Sequence, residues 1–140
     1  MPMKRQELTR EKVRALIERA DGRCERCLIS VLEVEAYDLS GRGTMWSVQH
    51  RKPAGAGGTN DPAFNSPANL LLLCGHGTVG CHGQVEHYRT QAREDGFLVW
   101  QSQDPESIAV RIGVASGRPW RAAYLGPGWS YSWRDTAGAV

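Results

Sequence analysis

The stretch NSPANLLLLCGHGTVGCHG, residues 65–83, decides the fold of this 140-residue chain. Its four consecutive leucines predict a short buried strand that starts at Asn69. A glycine-rich turn between two cysteines follows, and residues 82–95 (HGQVEHYRTQARED) have the pattern of a helix closed by Gly96. The stretch therefore predicts a strand, a tight turn bounded by thiols, and a helix.

The two cysteines of this stretch, Cys74 and Cys81, have counterparts in the motif CERC, which contains Cys24 and Cys27. Two thiolates on a tight turn can occupy adjacent corners of a tetrahedron, and zinc bound by four thiolates is a structural site. The alternatives are four unrelated cysteines, or a redox pair at Cys24 and Cys27. The redox pair is disfavoured because CERC does not follow a strand and open a helix. We predict a structural Zn²⁺ site.

The composition is typical of one globular domain spanning residues 1–140. Apolar residues make up 41% and charged residues 23%, and a net charge of +2 does not by itself indicate nucleic-acid binding. The N-terminus has no secretory pattern, and the longest apolar run, residues 70–74, is too short to cross a bilayer. We therefore expect a cytoplasmic protein with reduced thiols and no membrane partner.

One helix and several strands are predicted outside the opening stretch. Residues 10–20 have apolar side chains at helical spacing behind a Thr9 N-cap. Residues 28–39 (LISVLEVEAYDL) are rich in β-branched side chains and predict a strand. Three further strands are predicted downstream, at Phe97–Trp100, Ser107–Ile112 and 119–125.

A strand ending at His50 lies between these regions. Its alternation places His50 on one face with Trp46 and Val48, and Gln49 on the other face. Residues 51–68 form a long loop after it, and loops of this length in compact domains are usually functional or disordered.

The remaining histidines cluster after the leucine run. His82 and Glu86 are spaced i, i+4 and share one helix face, which is a common way to hold a divalent ion. His87 points roughly 140° away from His82 at about 100° per residue, so Glu86 is the preferred partner. His76 is either a surface imidazole or a substitute zinc ligand.

In chain order these residues give His50, Asn69 and His82, and the sequence here resembles the zinc-stapled branch of the HNH endonuclease family, common in phage and bacterial genomes. The resemblance rests on CERC, VQHRKPAGAGG, SPANLLLLC and CHGQVE and covers about residues 24–96. It implies an α+β fold with a ββα-metal (His-Me finger) core and a four-cysteine zinc site. An N-terminal helix and a C-terminal extension of short strands, residues 97–140, would complete the fold.

The resemblance also implies roles for individual residues. His50 would be the general base, because imidazole can accept a proton near neutral pH. His82 would bind the catalytic ion, which could be Mg²⁺, Mn²⁺, Ni²⁺ or Zn²⁺, and Glu86 would be a further ligand. Asn69 would hold the segment that carries the base, because an amide can donate and accept without adding charge.

Gln49 departs from the family pattern. Many members have a histidine or an aspartate ligand at this position, whereas a glutamine oxygen is a weak neutral ligand. Three alternatives remain open: Gln49 ligates weakly, water fills the position, or the metal site is impaired.

DNA is the predicted partner, bound through its phosphates in a salt-dependent and weakly sequence-specific way. The basic residues predicted to contact it are Arg42, Arg51, Lys52, Arg89 and Arg93.

The leading hypothesis is a metal-dependent HNH endonuclease that hydrolyses DNA. The main alternative, favoured by Gln49, is a non-catalytic zinc module that binds DNA or a protein. A redox or metal-storage protein is a third, supported only by CERC. Phage packaging proteins are candidate partners, which would place the protein in the host cytoplasm.

Overall fold

The computed structural model describes residues 8–31, 46–53 and 61–134, and within these ranges the chain has an α+β fold. The helices are α1 (Arg10–Arg19), α2 (Gly80–His87) and α3 (Arg89–Glu94). The strands are β1 (Trp46–His50), β2 (Leu70–Cys74), β3 (Val110–Ile112), β4 (Arg121–Leu125) and β5 (Tyr131–Trp133). β1 and β2 form one antiparallel sheet, and β3, β4 and β5 form a second. No helix in the described ranges has both the length and the apolar character needed to cross a bilayer.

Helix α1 forms where its apolar spacing predicts, with Ala20 as its C-cap. The Thr9 hydroxyl accepts a hydrogen bond from the amide of Lys12 at 3.2 Å, which caps the N-terminus. Val13 and Leu16 are fully buried, and α1 contacts β2. Burying such a side chain contributes about 1.5–3 kcal/mol, so packing more than helix propensity stabilises α1.

The sheet of β1 and β2 positions the predicted site. Its register pairs Trp46 with Cys74 at one end and His50 with Leu70 at the other. The four leucines at 70–73 have no exposed surface, and both α1 and α2 contact β2. The predicted strands before His50 and after Asn69 are therefore confirmed, and the long connection between them includes residues 54–60, which lie outside the described ranges.

The single helix predicted over residues 82–95 is wrong. Tyr88, with φ −111° and ψ 65°, lies outside the helical region and separates α2 from α3. Gly96 follows α3 as predicted, at a φ of +84°. A Cβ at Gly96 would overlap the carbonyl oxygen of Ala109, so this position requires glycine.

The other strand predictions are partly right. Phe97–Trp100 is irregular. Three of its side chains are buried, and this burial, instead of strand pairing, fixes the segment against the core. β3 and β4 form the C-terminal parts of their predicted segments, whereas no sequence pattern predicts β5. Residues 28–31 do not form a strand, and Leu28 has a positive φ of 67°. The rest of that predicted strand, residues 32–39, lies outside the described ranges.

A buried ion pair joins the C-terminal strands to the core. Arg19 contacts Glu25 at 3.0 and 3.2 Å, and each side chain is 1% exposed. Glu25 also accepts hydrogen bonds from the amide of Leu72 at 2.8 Å and from the hydroxyl of Tyr131 at 2.6 Å. Burial, with the nearby Glu25 carboxylate, raises the pKa of Tyr131, so its hydroxyl stays a neutral donor. The described part of the C-terminal extension thus shares one core with α1 and β2.

Candidate functional site

Four free cysteines form a candidate metal centre at one end of the β1–β2 sheet. Cys24 and Cys27 lie on the turn after α1, Cys74 ends β2, and Cys81 lies in the first turn of α2. All four sulfur atoms lie within 4.8 Å of one another, and those of Cys27 and Cys74 are 3.8 Å apart. A tetrahedron with zinc–sulfur bonds of about 2.3 Å has an edge of about 3.8 Å. The cluster could therefore bind a structural metal such as zinc, as predicted.

Glycines allow the wider cysteine pair to close. Gly75 and Gly80 have φ values of +78° and +66°, and a Cβ at Gly75 would overlap the carbonyl oxygen of Val79. An isolated β-bridge between His76 and Val79 closes the turn. His76 is exposed and is not part of the thiol cluster, so it is not a substitute ligand there.

The surroundings of the thiols favour the thiolate at Cys24 and the neutral thiol at two of its neighbours. A hydrogen bond from Cys81 lowers the pKa of Cys24 to about 5, whereas burial raises the pKa of Cys27 to about 11 and the hydrogen bond to Cys24 raises the pKa of Cys81. Arg26 donates to the sulfur of Cys81 at 3.4 Å, and the amide of Cys81 donates to the sulfur of Cys74 at 3.3 Å. These donors match the thiolates that a bound cation requires.

His50 lies at the end of β1 with its ring restrained from two directions. Its Nε2 lies 2.7 Å from Oδ1 of Asn65, and its ring stacks on Phe64 with centroids 4.0 Å apart and planes 6° from parallel. An amide oxygen only accepts hydrogen bonds, so Nε2 carries the proton and Nδ1 carries the lone pair. Burial lowers the pKa of His50, which favours the neutral ring that a general base needs.

His82 lies in α2 with Nδ1 at 2.5 Å from the hydroxyl of Ser47. That hydroxyl donates its only proton to the carbonyl of Gly75 at 2.8 Å, so Nδ1 of His82 must be the donor to Ser47. Nε2 of His82 then carries the lone pair, and it lies 4.0 Å from a carboxylate oxygen of Glu86. A relayed hydrogen bond of this kind typically orients a metal-binding histidine.

One cleft of about 290 Å³ brings these groups together. Among the residues that line it are His50 and Gln49 from β1, His82 and Glu86 from α2, and Arg89 from α3. Within the described ranges, however, the cysteine cluster is the only group of three or more His, Cys, Asp or Glu side chains close enough to share one ion. An ion in the cleft would need further ligands from water or substrate.

Gln49 is 3% exposed and supplies no charge to the cleft. Its side-chain nitrogen donates to the backbone carbonyl of His50 at 3.0 Å, so the amide group is partly engaged with the segment that carries the base.

Asn69 contacts the backbone of the loop that follows His50. Its side-chain oxygen accepts from the amide of Lys52 at 2.7 Å, and its nitrogen donates to the carbonyls of Lys52 at 3.2 Å and Phe64 at 2.8 Å. Asn69 is 2% exposed and joins both sides of the loop around His50.

The prediction that Arg51 contacts nucleic acid is wrong. Its side chain has no exposed surface, because it lies in the core and donates to four backbone carbonyls at 2.6–2.8 Å. These carbonyls belong to Ala68, Gly96, Pro105 and Ile108. Burial lowers the pKa of Arg51 to about 9, which still leaves it protonated at neutral pH. Arg51 is therefore a buried structural cation, and its donors are directed at backbone carbonyls.

The other predicted basic contacts differ in their surroundings. Arg89 lines the cleft and pairs with Glu86 at 2.8 Å, and its side chain is 40% exposed. Arg93 lies 3.7 Å from the ring centre of Trp100 and does not line the cleft. Lys52 is half-buried beside Asn69. Arg42 lies outside the described ranges.

Two residues of the site have no role in the sequence prediction. Ser47 lies on the β1 face opposite His50, so strand alternation combined with the register of α2 could have pointed to it. Asn65 contacts a ring fifteen residues earlier in the chain across the long loop, and no periodic pattern signals that contact.

Comparisons with protein-family models, with curated proteins and with solved structures gave no match for this chain.

Proposed function

We propose that this protein is a metal-dependent endonuclease of the HNH type that hydrolyses DNA phosphodiester bonds. The observation that carries the proposal is the cleft in which His50 and the His82–Glu86 pair meet. The four cysteines bind Zn²⁺ in a structural site that holds the start of α2, and therefore His82, beside β1. Packaging proteins of a phage are proposed partners only through the sequence resemblance.

His50 acts as the general base in this proposal. Asn65 accepts the Nε2 proton in a hydrogen bond, and the lone pair on Nδ1 accepts a proton from water. Because burial lowers the pKa of His50, the neutral form of its ring is favoured at pH 7.

The donors on α2, one imidazole nitrogen and one carboxylate, fit a divalent cation. Nε2 of His82 presents a lone pair, and Glu86 presents a carboxylate 4.0 Å away. Mg²⁺ and Mn²⁺ commonly use few protein ligands and complete their shells with water and substrate phosphate. When bound, such an ion stabilises the negative charge that develops on the leaving oxygen. Neutral Gln49 leaves the site with one formal negative charge from these residues.

Plasmid cleavage tests the proposal directly. Supercoiled DNA is incubated with the 140-residue chain and Mg²⁺, Mn²⁺ or Ni²⁺, with EDTA as the metal-free arm. We expect nicked or linear products that EDTA abolishes, and a His50→Ala variant slowed by about 10²–10⁴-fold because a general base is lost. His87→Ala is the matched control, since His87 is exposed and does not line the cleft. Plasmid that is bound but intact under every metal would support the alternative of a non-catalytic zinc module, which Gln49 favours.

Arg89 competes with a metal ion for Glu86. Its guanidinium contacts Oε2 of the carboxylate at 2.8 Å, and the other oxygen, Oε1, is the one that lies 4.0 Å from Nε2 of His82, so the competition is for the negative charge of the carboxylate. We expect Arg89→Ala to tighten Mn²⁺ binding by roughly 2- to 5-fold, because a half-exposed ion pair is worth at most about 1 kcal/mol. Electron paramagnetic resonance titration of free Mn²⁺ measures this affinity. Arg93→Ala is the control, and an unchanged or weaker Mn²⁺ affinity in Arg89→Ala would contradict the competition.

A further inference from the structure

We propose that Asn65 is a positioning residue that fixes the His50 ring with its proton on Nε2 and its lone pair on Nδ1. This inference rests on the proposed role of His50 as the base, and it adds the residue through which that base is oriented. Asn65 contacts the ring of His50 but does not line the cleft.

The geometry restrains the ring in two independent ways. The hydrogen bond from Nε2 to Oδ1 of Asn65 is 2.7 Å long, and a bond to a ring nitrogen resists rotation of the imidazole within its own plane. The stack on Phe64, at 4.0 Å and 6°, restrains the ring perpendicular to its plane. Together they restrict both tilt and rotation of His50, which orientation of a catalytic group requires.

The segment that carries these two contacts is itself held in place. The amide of Phe64 donates to the carbonyl of Asp61 at 3.0 Å, and the amide of Ser66 donates to the carbonyl of Ala63 at 3.0 Å. Asn69 donates to the carbonyl of Phe64 at 2.8 Å.

The two asparagines of the segment NSPAN, residues 65–69, therefore have different structural roles. Asn69 joins the backbone of the loop on both sides of His50, through Lys52 and Phe64. Asn65 is 2% exposed. Within the described residues, its side chain makes one hydrogen bond, to the ring of His50. Loss of Asn69 would disturb the loop as a whole, whereas loss of the acceptor on Asn65 would release only the ring.

Nuclear magnetic resonance of the zinc-loaded 140-residue chain tests the orientation without any nuclease assay. The ¹⁵N-labelled imidazoles are observed at a pH at which the same spectrum shows a neutral His50 ring. We expect a His50 Nε2–H proton protected from solvent exchange in the wild type. The signal should persist in Asn65→Asp, which keeps an acceptor oxygen, and disappear in Asn65→Leu, which has similar volume and no acceptor.

Kinetics provide the second readout. We expect Asn65→Leu to lower kcat by about 10²-fold, the effect of a misplaced catalytic group, with KM for plasmid unchanged because the side chain is buried. Asn65→Asp should retain more kcat than Asn65→Leu.

Equal kcat in the wild type and Asn65→Leu would overturn the proposal, as would a wild-type spectrum with the proton on Nδ1. The wild-type spectrum decides the point even if Asn65→Leu does not fold. A protected Nε2–H in a protein that never cleaves DNA would support the orientation while the proposed function fails.

Discussion

Replacing Cys24 by serine is expected to leave the protein without bound zinc and unfolded at 25 °C. Cys24 is fully buried, and its sulfur belongs to the cluster that joins the turn after α1 to β2 and α2. A structural zinc ion supplies about 10–16 kcal/mol of apparent binding free energy in small domains, whereas a whole domain is stable by only about 5–15 kcal/mol. Loss of one thiolate ligand therefore removes more than the remaining core can replace.

Circular dichroism and the zinc content of the purified variant measure this result. His76→Ala is the matched control, because His76 is exposed on the same turn and lies outside the cluster. We expect the control to bind one zinc ion per chain and to melt like the wild type. A Cys24→Ser variant that folds with no zinc bound would show that the cluster is not a structural metal site.

Replacing Arg51 by methionine is expected to cost at least about 2 kcal/mol of unfolding free energy, because the two buried carbonyls of Ala68 and Gly96 each lose a donor at about 1–3 kcal/mol. The guanidinium joins the end of α3 to the segments before β2 and before β3, through Gly96, Ala68 and Ile108. Methionine fills part of the volume and donates no hydrogen bond. The loss is therefore one of buried hydrogen bonding more than of packing.

Urea denaturation of the zinc-loaded protein gives the free energy of unfolding for this comparison. Arg14→Met is the matched control, since Arg14 is exposed on α1 and we expect a change within about 0.5 kcal/mol for such a surface site. If Arg51→Met instead keeps wild-type stability and weakens DNA binding, Arg51 is a phosphate contact and the burial described here does not govern its role.

Sequence periodicity was sufficient to predict the helices and strands in which buried side chains recur at a regular spacing. α1 has its apolar residues at helical spacing, and β2 has four leucines that are buried on both faces, so both could be predicted. The break at Tyr88 could not be predicted, because residues on both sides of it favour a helix. Only contacts with the rest of the chain decide that the backbone turns there.

The candidate site divides in the same way. Residue chemistry and spacing pointed to the four thiols, and the structure brings them within 4.8 Å. The same reasoning assigned Arg51 to the surface, because a basic residue in a loop is usually solvated. It is buried because four backbone carbonyls from three segments of the chain converge on its guanidinium.

By itself, the sequence determined the two strands around the leucine run and the cysteine set, and it paired His82 with Glu86, because local spacing and side-chain chemistry carry that information. The expected α+β class and the expected role of His50 came from the family resemblance. Only the tertiary structure decided that Arg51 is a core residue, that Ser47 orients His82 and that Asn65 restrains His50. Each of these depends on a partner distant in the chain, and such pairings are set by the packing of the whole core.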